Sequence, residues 1–101
     1  MEVKELQEKI VEFTRKWDQK YKKDPNDKTT FIHLTEEIGE LAREYVNREL
    51  GRAKYNKENV ENAIADIILQ IVKLADINGL DVEKIVLDVM EEDEKRLLEQ
   101  S

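Results

Sequence analysis

"HLTEEIGELAREY", residues 33–45, sets two adjacent glutamates, Glu36 and Glu37, inside a helical pattern and adds Glu40 three positions further on. Leu34, Ile38, Leu41 and Tyr45 recur three or four apart with Phe31 ahead of them, so the stretch predicts an amphipathic helix, ended by Gly51. Glu37, Glu40 and Glu44 fall on one flank of that apolar seam, and Glu36 points elsewhere. Like charges at this spacing repel by about 0.2–0.5 kcal/mol per pair, and a half-buried flank adds lost hydration. A divalent cation turns the repulsion into attraction: magnesium takes a few carboxylate oxygens together with water and phosphate oxygens, and glutamates at i and i+3 reach one ion together. The alternative is that these acids answer the dipole of a first helical turn, capped by Thr35, or solvate an exposed face.

Upstream, Val3, Leu6, Ile10, Phe13, Trp17 and Tyr21 keep the same spacing and predict a helix over about residues 2–21. "KKDPNDKT", residues 22–29, holds the only proline and reads as a turn, with Asp27, Thr29 or Thr30 capping a second helix over 30–50. Downstream, "GRAKYNKEN", residues 51–59, is a polar connection, and a third helix follows over about 59–78. Its apolar residues, among them Ile64, Ile68, Ile71 and Val72, cover more than half the circumference, so it is expected to be nearly surrounded. Asp66 lies on the narrow polar strip that is left, with Asn62, Gln70 and Lys73. A short acid there needs a partner, either Lys73 or a cation. "NGLD", residues 78–81, closes that helix at Gly79 and opens a fourth over 81–98 with Asp81 as N-cap. Nothing alternates with period two. The expectation is one all-α domain over residues 1–101, a four-helix bundle completed by oligomerisation.

The totals set the partners. A chain of 101 residues buries a modest core, which favours a homodimer or homotetramer assembled through helices two and three. With 17 basic against 24 acidic residues and a net charge of -7, a nucleic-acid partner is not expected. With no cysteine and one histidine, His33, any metal must be bound through oxygen. No unbroken apolar run exceeds the length of Ile67–Leu69, and "MEVKELQEKI" lacks the apolar core of a signal peptide, so no membrane association and a cytoplasmic location are expected.

"LTEEIGELAREY", followed by "IADIILQIVKLADINGLD", resembles the MazG family of all-α nucleotide pyrophosphohydrolases over about residues 10 to 90. That family's pattern is Glu-Glu-x-x-Glu on one helix and Glu-x-x-Asp on the next. The first half is present as Glu36, Glu37 and Glu40; the second keeps Asp66 but has Ala63 in place of the glutamate. Asn62, on nearly the same face, is a substitute ligand with a neutral oxygen. The family often carries Lys and Asn beyond its last amphipathic helix for phosphate contact, where this chain has Glu92 and Asp93.

The resemblance implies metal-dependent hydrolysis of a nucleoside triphosphate at the α-phosphate, releasing pyrophosphate. Mg2+ or Mn2+ would be held by Glu37, Glu40 and Asp66, and Glu36 would orient or deprotonate the water. Three acids instead of four imply weaker metal binding. The alternative is a catalytically degenerate MazG-like protein that binds a nucleotide or a partner without cleaving it, and a third possibility is a purely structural helical oligomer. Trp17 and Tyr21, after Arg15, resemble the dCTP-pyrophosphatase branch, where aromatics of the first helix help to hold a base; their alternative role is core or interface packing. Lys54, Lys57 and Lys73, with Arg52, are candidates for phosphate contact, against the alternative of plain solvation.

Overall fold

The computed structural model describes residues 2–100, which form four helices: α1 (Val3–Lys20), α2 (Asp27–Leu50), α3 (Lys57–Ile77) and α4 (Val82–Gln100). No strand occurs among the described residues. The helix ends follow from local chemistry. α1 closes with Lys22 in the left-handed region at φ 52°, which lets the Lys23 N–H reach the Asp18 carbonyl at 2.8 Å. α2 opens at Asp27, ahead of the expected residue 30. Its cap is Asn26, whose Oδ1 accepts the Thr29 N–H at 2.9 Å, rather than Asp27, Thr29 or Thr30. Gly51 and Gly79 terminate α2 and α3 at φ 65° and 68°, conformations a side chain would strain. Asp81 receives the Lys84 N–H at 3.3 Å and starts α4.

α3 is the central element, with α2 packed along it, α1 against it and α4 resting more lightly on α1. Two ion pairs join α1 to α3. Arg15 makes a forked contact with Asp76 at 2.8 and 3.1 Å, and Lys73 Nζ meets Asp18 Oδ1 at 2.8 Å. Lys4 reaches Asp81 at 3.2 Å, and Gln7 accepts the Glu83 N–H at 3.1 Å, tying the start of α4 to α1.

Burial is distributed contrary to the apolar pattern. Along α2, the residues turned inward are Thr30, Leu34, Glu37, Leu41 and Glu44, while Phe31, Ile38 and Tyr45 are exposed. The seam therefore lies one row over from the one predicted, and Glu37 and Glu44 stand in it rather than on its flank. α3 shows the same displacement. Ala63 is 4% exposed and Asp66, Gln70 and Lys73 are partly buried, whereas Ile64, Ile68 and Ile71 are 45%, 45% and 42% exposed. α3 is thus not surrounded within one chain. Asp66, Gln70 and Lys73 of its polar strip face the same chain, and Ile64, Ile68 and Ile71 face out.

Only Ile10, Ala63, Val72 and Ala75 are buried apolar residues among those described. The accessible surface is 8219 Å² for 11.9 kDa, against about 5,900 Å² for a compact monomer of that mass. The radius of gyration is 16.7 Å, against about 13 Å for a compact chain of this length. None of the described helices is long and apolar enough to cross a membrane.

Candidate functional site

The α2–α3 seam brings together three of the acids singled out in the sequence. Because α2 begins at Asp27, Glu36, Glu37 and Glu40 lie deep inside it, well past the first turn, and the helix-dipole explanation does not reach them. Glu37 projects inward and its Oε2 is sealed from solvent with no hydrogen-bond partner. Burial, and then the neighbouring carboxylates of Glu40 and Asp66, push its pKa from the ordinary 4.5 up to about 7. Glu36 and Glu40 are exposed on α2, and Asp66 is half-buried on α3. Lys73 is not the partner of Asp66, because its ammonium is held by Asp18.

The other acid of the flank has a separate task. Glu44 is buried and accepts the Asn56 N–H at 2.9 Å and the Asn59 Nδ2–H at 3.1 Å. The Asn56 N–H bond, followed by the Asn59 amide, lowers its pKa. Asn56 in turn caps α3 by accepting the Glu58 and Asn59 N–H groups. Glu44 thus fixes the corner between α2 and α3 and thereby the register in which Asp66 meets Glu37.

Beside Asp66 opens a cavity of about 640 Å³ between α1, α3 and the start of α2. Phe13 and Trp17 supply an aromatic wall, Thr14, Asp18, Thr30 and Lys73 a polar one, and His33 an exposed rim. Trp17 packs against Tyr21 at a tilt of 45° with ring centres 4.7 Å apart, and Phe13 lies 6.0 Å from Trp17, a row of aromatics one turn apart. Tyr21 does not line the cavity; it braces Trp17 from behind. A second cavity, about 660 Å³, lies beyond the Asp18–Lys73 pair toward Arg15, Pro25 and Asp76. Lys54 and Lys57 line neither. Lys57 stands nine residues before Asp66, roughly 14 Å along the axis of α3. Asn62 is exposed, while Ala63 is packed into the seam.

The sequence does not mark Asp18 or Thr14, and it offers Thr30 only as a candidate helix cap. Asp18 is one of 24 acidic residues, and no periodicity marks it as the one whose carboxylate is buried against a lysine 55 positions away.

The donor set suits a hard divalent cation, since all three side chains offer oxygen and one oxygen of Glu37 is buried without a partner. In the chain as it stands, no three acidic or imidazole side chains among the described residues close around a common point. Among the described residues these acids are therefore not gathered into a closed cluster, and Glu37 is the one with a buried, unpartnered oxygen.

Comparison with curated proteins and with solved structures gave no match. A family model, the MazG nucleotide pyrophosphohydrolase domain, matches residues 25–97, which take in α2, α3 and most of α4. With nearly three-quarters of its length inside that match, and with Glu37 of α2 set against Asp66 of α3, the chain belongs to the MazG nucleotide pyrophosphohydrolase domain family.

Proposed function

We propose that the chain is a nucleoside triphosphate pyrophosphohydrolase, dependent on Mg2+ or Mn2+, that cleaves at the α-phosphate and works as a cytoplasmic homo-oligomer. The observation carrying this is Glu37: a buried carboxylate oxygen without a partner, beside two further carboxylates, is unfavourable in its ionised form unless a cation completes the set. Glu37, Glu40 and Asp66 would hold the ion. When bound, it supplies charge neutralisation for the phosphates and lowers the pKa of water.

The chain's own groups do the rest. Phe13 and Trp17 offer flat apolar faces for a base in the cavity that Asp66 borders. Glu36, exposed next to Glu37 in sequence, would orient or deprotonate the attacking water. Lys73 is anchored to Asp18, so it would hold the base end of the site rather than reach a phosphate.

The oligomer is supported by area. The single chain exposes roughly 2,300 Å² more than a compact monomer would, comparable to what each partner of an obligate dimer hides. The isoleucines of α3 and the apolar row of α2 are the surfaces concerned.

A second possibility, a MazG-like protein that binds nucleotide without cleaving it, is favoured by Ala63. The seam holds a methyl group where a fourth carboxylate would sit, which leaves less charge for a cation. One assay separates the two: purified protein, Mg2+ and each common nucleoside triphosphate, with pyrophosphate as readout. Release that disappears in Glu40→Ala supports the enzyme. Nucleotide-dependent thermal stabilisation without release, converted to turnover by Ala63→Glu, supports the non-hydrolysing form. Neither response would leave only a structural oligomer.

A further inference from the structure

The second cavity, about 660 Å³, lies further along α3 than the acid set and is divided from the first cavity by the Asp18–Lys73 pair. Asp76, which lines it, is ten residues beyond Asp66, roughly 15 Å along the helix axis. Around this cavity an acidic chain turns basic. Residues 15–28 hold six lysines and arginines against three aspartates, in a protein of net charge -7.

Five charged side chains line the cavity. Arg15 forks onto Asp76 through Nε at 3.1 Å and Nη2 at 2.8 Å, and Lys73 Nζ meets Asp18 Oδ1 at 2.8 Å. Lys23 is the fifth, and among the described residues its ammonium meets no carboxylate within ion-pair distance. The turn that closes α1 holds it there: Lys22 is left-handed, and the Lys23 N–H returns to the Asp18 carbonyl at 2.8 Å. Asp24, its neighbour in sequence, lines the first cavity and not this one. Three cations against two anions leave an excess of one positive charge.

The donors left over decide what the cavity accepts. Lys73 spends one of its three N–H groups on Asp18, Lys23 brings three more, and Arg15 keeps those outside its fork. The Gln19 amide can add another. Both oxygens of Asp76 are taken by Arg15, so the acceptors are the Thr14 hydroxyl, which itself donates to the Val11 carbonyl, and Asp18 Oδ2. Donors outnumber acceptors, and a ligand must bring oxygens and negative charge. A carboxylate is held best by an arginine fork, which Asp76 already fills. Ammonium groups arriving from two directions, Lys23 from the turn and Lys73 from α3, suit a tetrahedral oxyanion with oxygens on every side. The Lys73 side chain is 17% exposed, so its charge is only weakly screened.

We propose that the second cavity is a binding site for a phosphoryl oxyanion, with Lys23 as the cation it neutralises. The site is separate from the Glu37–Asp66 set and needs neither metal nor turnover, so it stands or falls independently of the proposed hydrolase.

The test is titration calorimetry of inorganic phosphate, pyrophosphate and acetate into the full chain, in metal-free amine buffer at fixed ionic strength. Without a cation the carboxylates of α2 and α3 repel anions and contribute no binding. Saturable binding of phosphate or pyrophosphate is expected, about tenfold tighter than that of acetate, and the tighter of the two tells a single phosphoryl group from a diphosphate. Lys23→Gln is expected to weaken it about tenfold, the size of one hydrogen bond to a charged group, while Lys23→Arg keeps it within about threefold. Lys23 is exposed, so both variants keep the fold. Lys28→Gln removes the same charge from a side chain that lines neither cavity, and is expected to leave the affinity unchanged. Absence of saturable binding, acetate binding as tightly as the phosphates, or equal losses in Lys23→Gln and Lys28→Gln overturns the proposal and leaves the hydrolase assignment standing.

Discussion

At the scale of single residues, Glu37 ties the site to a measurable property of the fold. Its pKa is raised from 4.5 to about 7, so the folded chain holds this proton more tightly than the unfolded chain does. The stability contributed is fully present below pH 4.5, declines as pH rises, and is lost above about 7. In metal-free buffer the melting temperature is therefore expected to fall across that interval, and Glu37→Gln, which cannot ionise, should flatten the decline. Added Mg2+ should restore stability mainly at the alkaline end, where the carboxylate is free to bind it. A melting curve series by circular dichroism, with and without a chelator, reads both effects; a decline that persists unchanged in Glu37→Gln would assign it to other groups.

At the scale of elements, the four helices were legible because their signals are local. Apolar residues three and four apart in α1, the proline turn after it, and Gly51 and Gly79 each report on their own neighbourhood. Facing was less legible. The predicted seam of α2 took the apolar residues Ile38 and Tyr45 as inward, yet these are exposed and the row with Glu37 and Glu44 is inward. A hydrophobic pattern marks which face will be buried in the finished assembly, and it does not distinguish burial by the same chain from burial by another. The ion pair between Asp18 and Lys73 was illegible for a different reason, because a contact across 55 positions leaves no periodic trace. One local feature carries its own prediction. Lys22 holds the left-handed position that ends α1, a conformation that costs a side-chain-bearing residue about 1–2 kcal/mol, partly offset by the greater freedom glycine has when unfolded. Lys22→Gly should stabilise the chain by roughly 0.5–1 kcal/mol, checked by urea unfolding, without moving the helix boundary.

At the scale of the whole molecule, the excess surface and the outward-facing Ile64, Ile68 and Ile71 of α3 support the proposed oligomer. Sedimentation equilibrium is expected to give a dimer or a multiple of it, and Ile64→Glu with Ile68→Glu should shift the mass to that of one chain while lowering stability, because two charges would enter an apolar interface. An unchanged mass would move the interface elsewhere, for instance to the exposed apolar residues of α4 such as Val86, Val89 and Met90. Such an assembly would also hold α2 and α3 in the alignment that sets Asp66 against Glu37, so the site and the oligomer are expected to fail together. The most direct check is on the cation itself: Mn2+ binding followed by electron paramagnetic resonance in the presence of a non-hydrolysable nucleoside triphosphate, for the unaltered chain, Glu37→Ala and Asp66→Ala. Saturable binding that either substitution abolishes, one from each helix, is expected; no binding, or binding that survives Asp66→Ala, would rule out a cation held between α2 and α3.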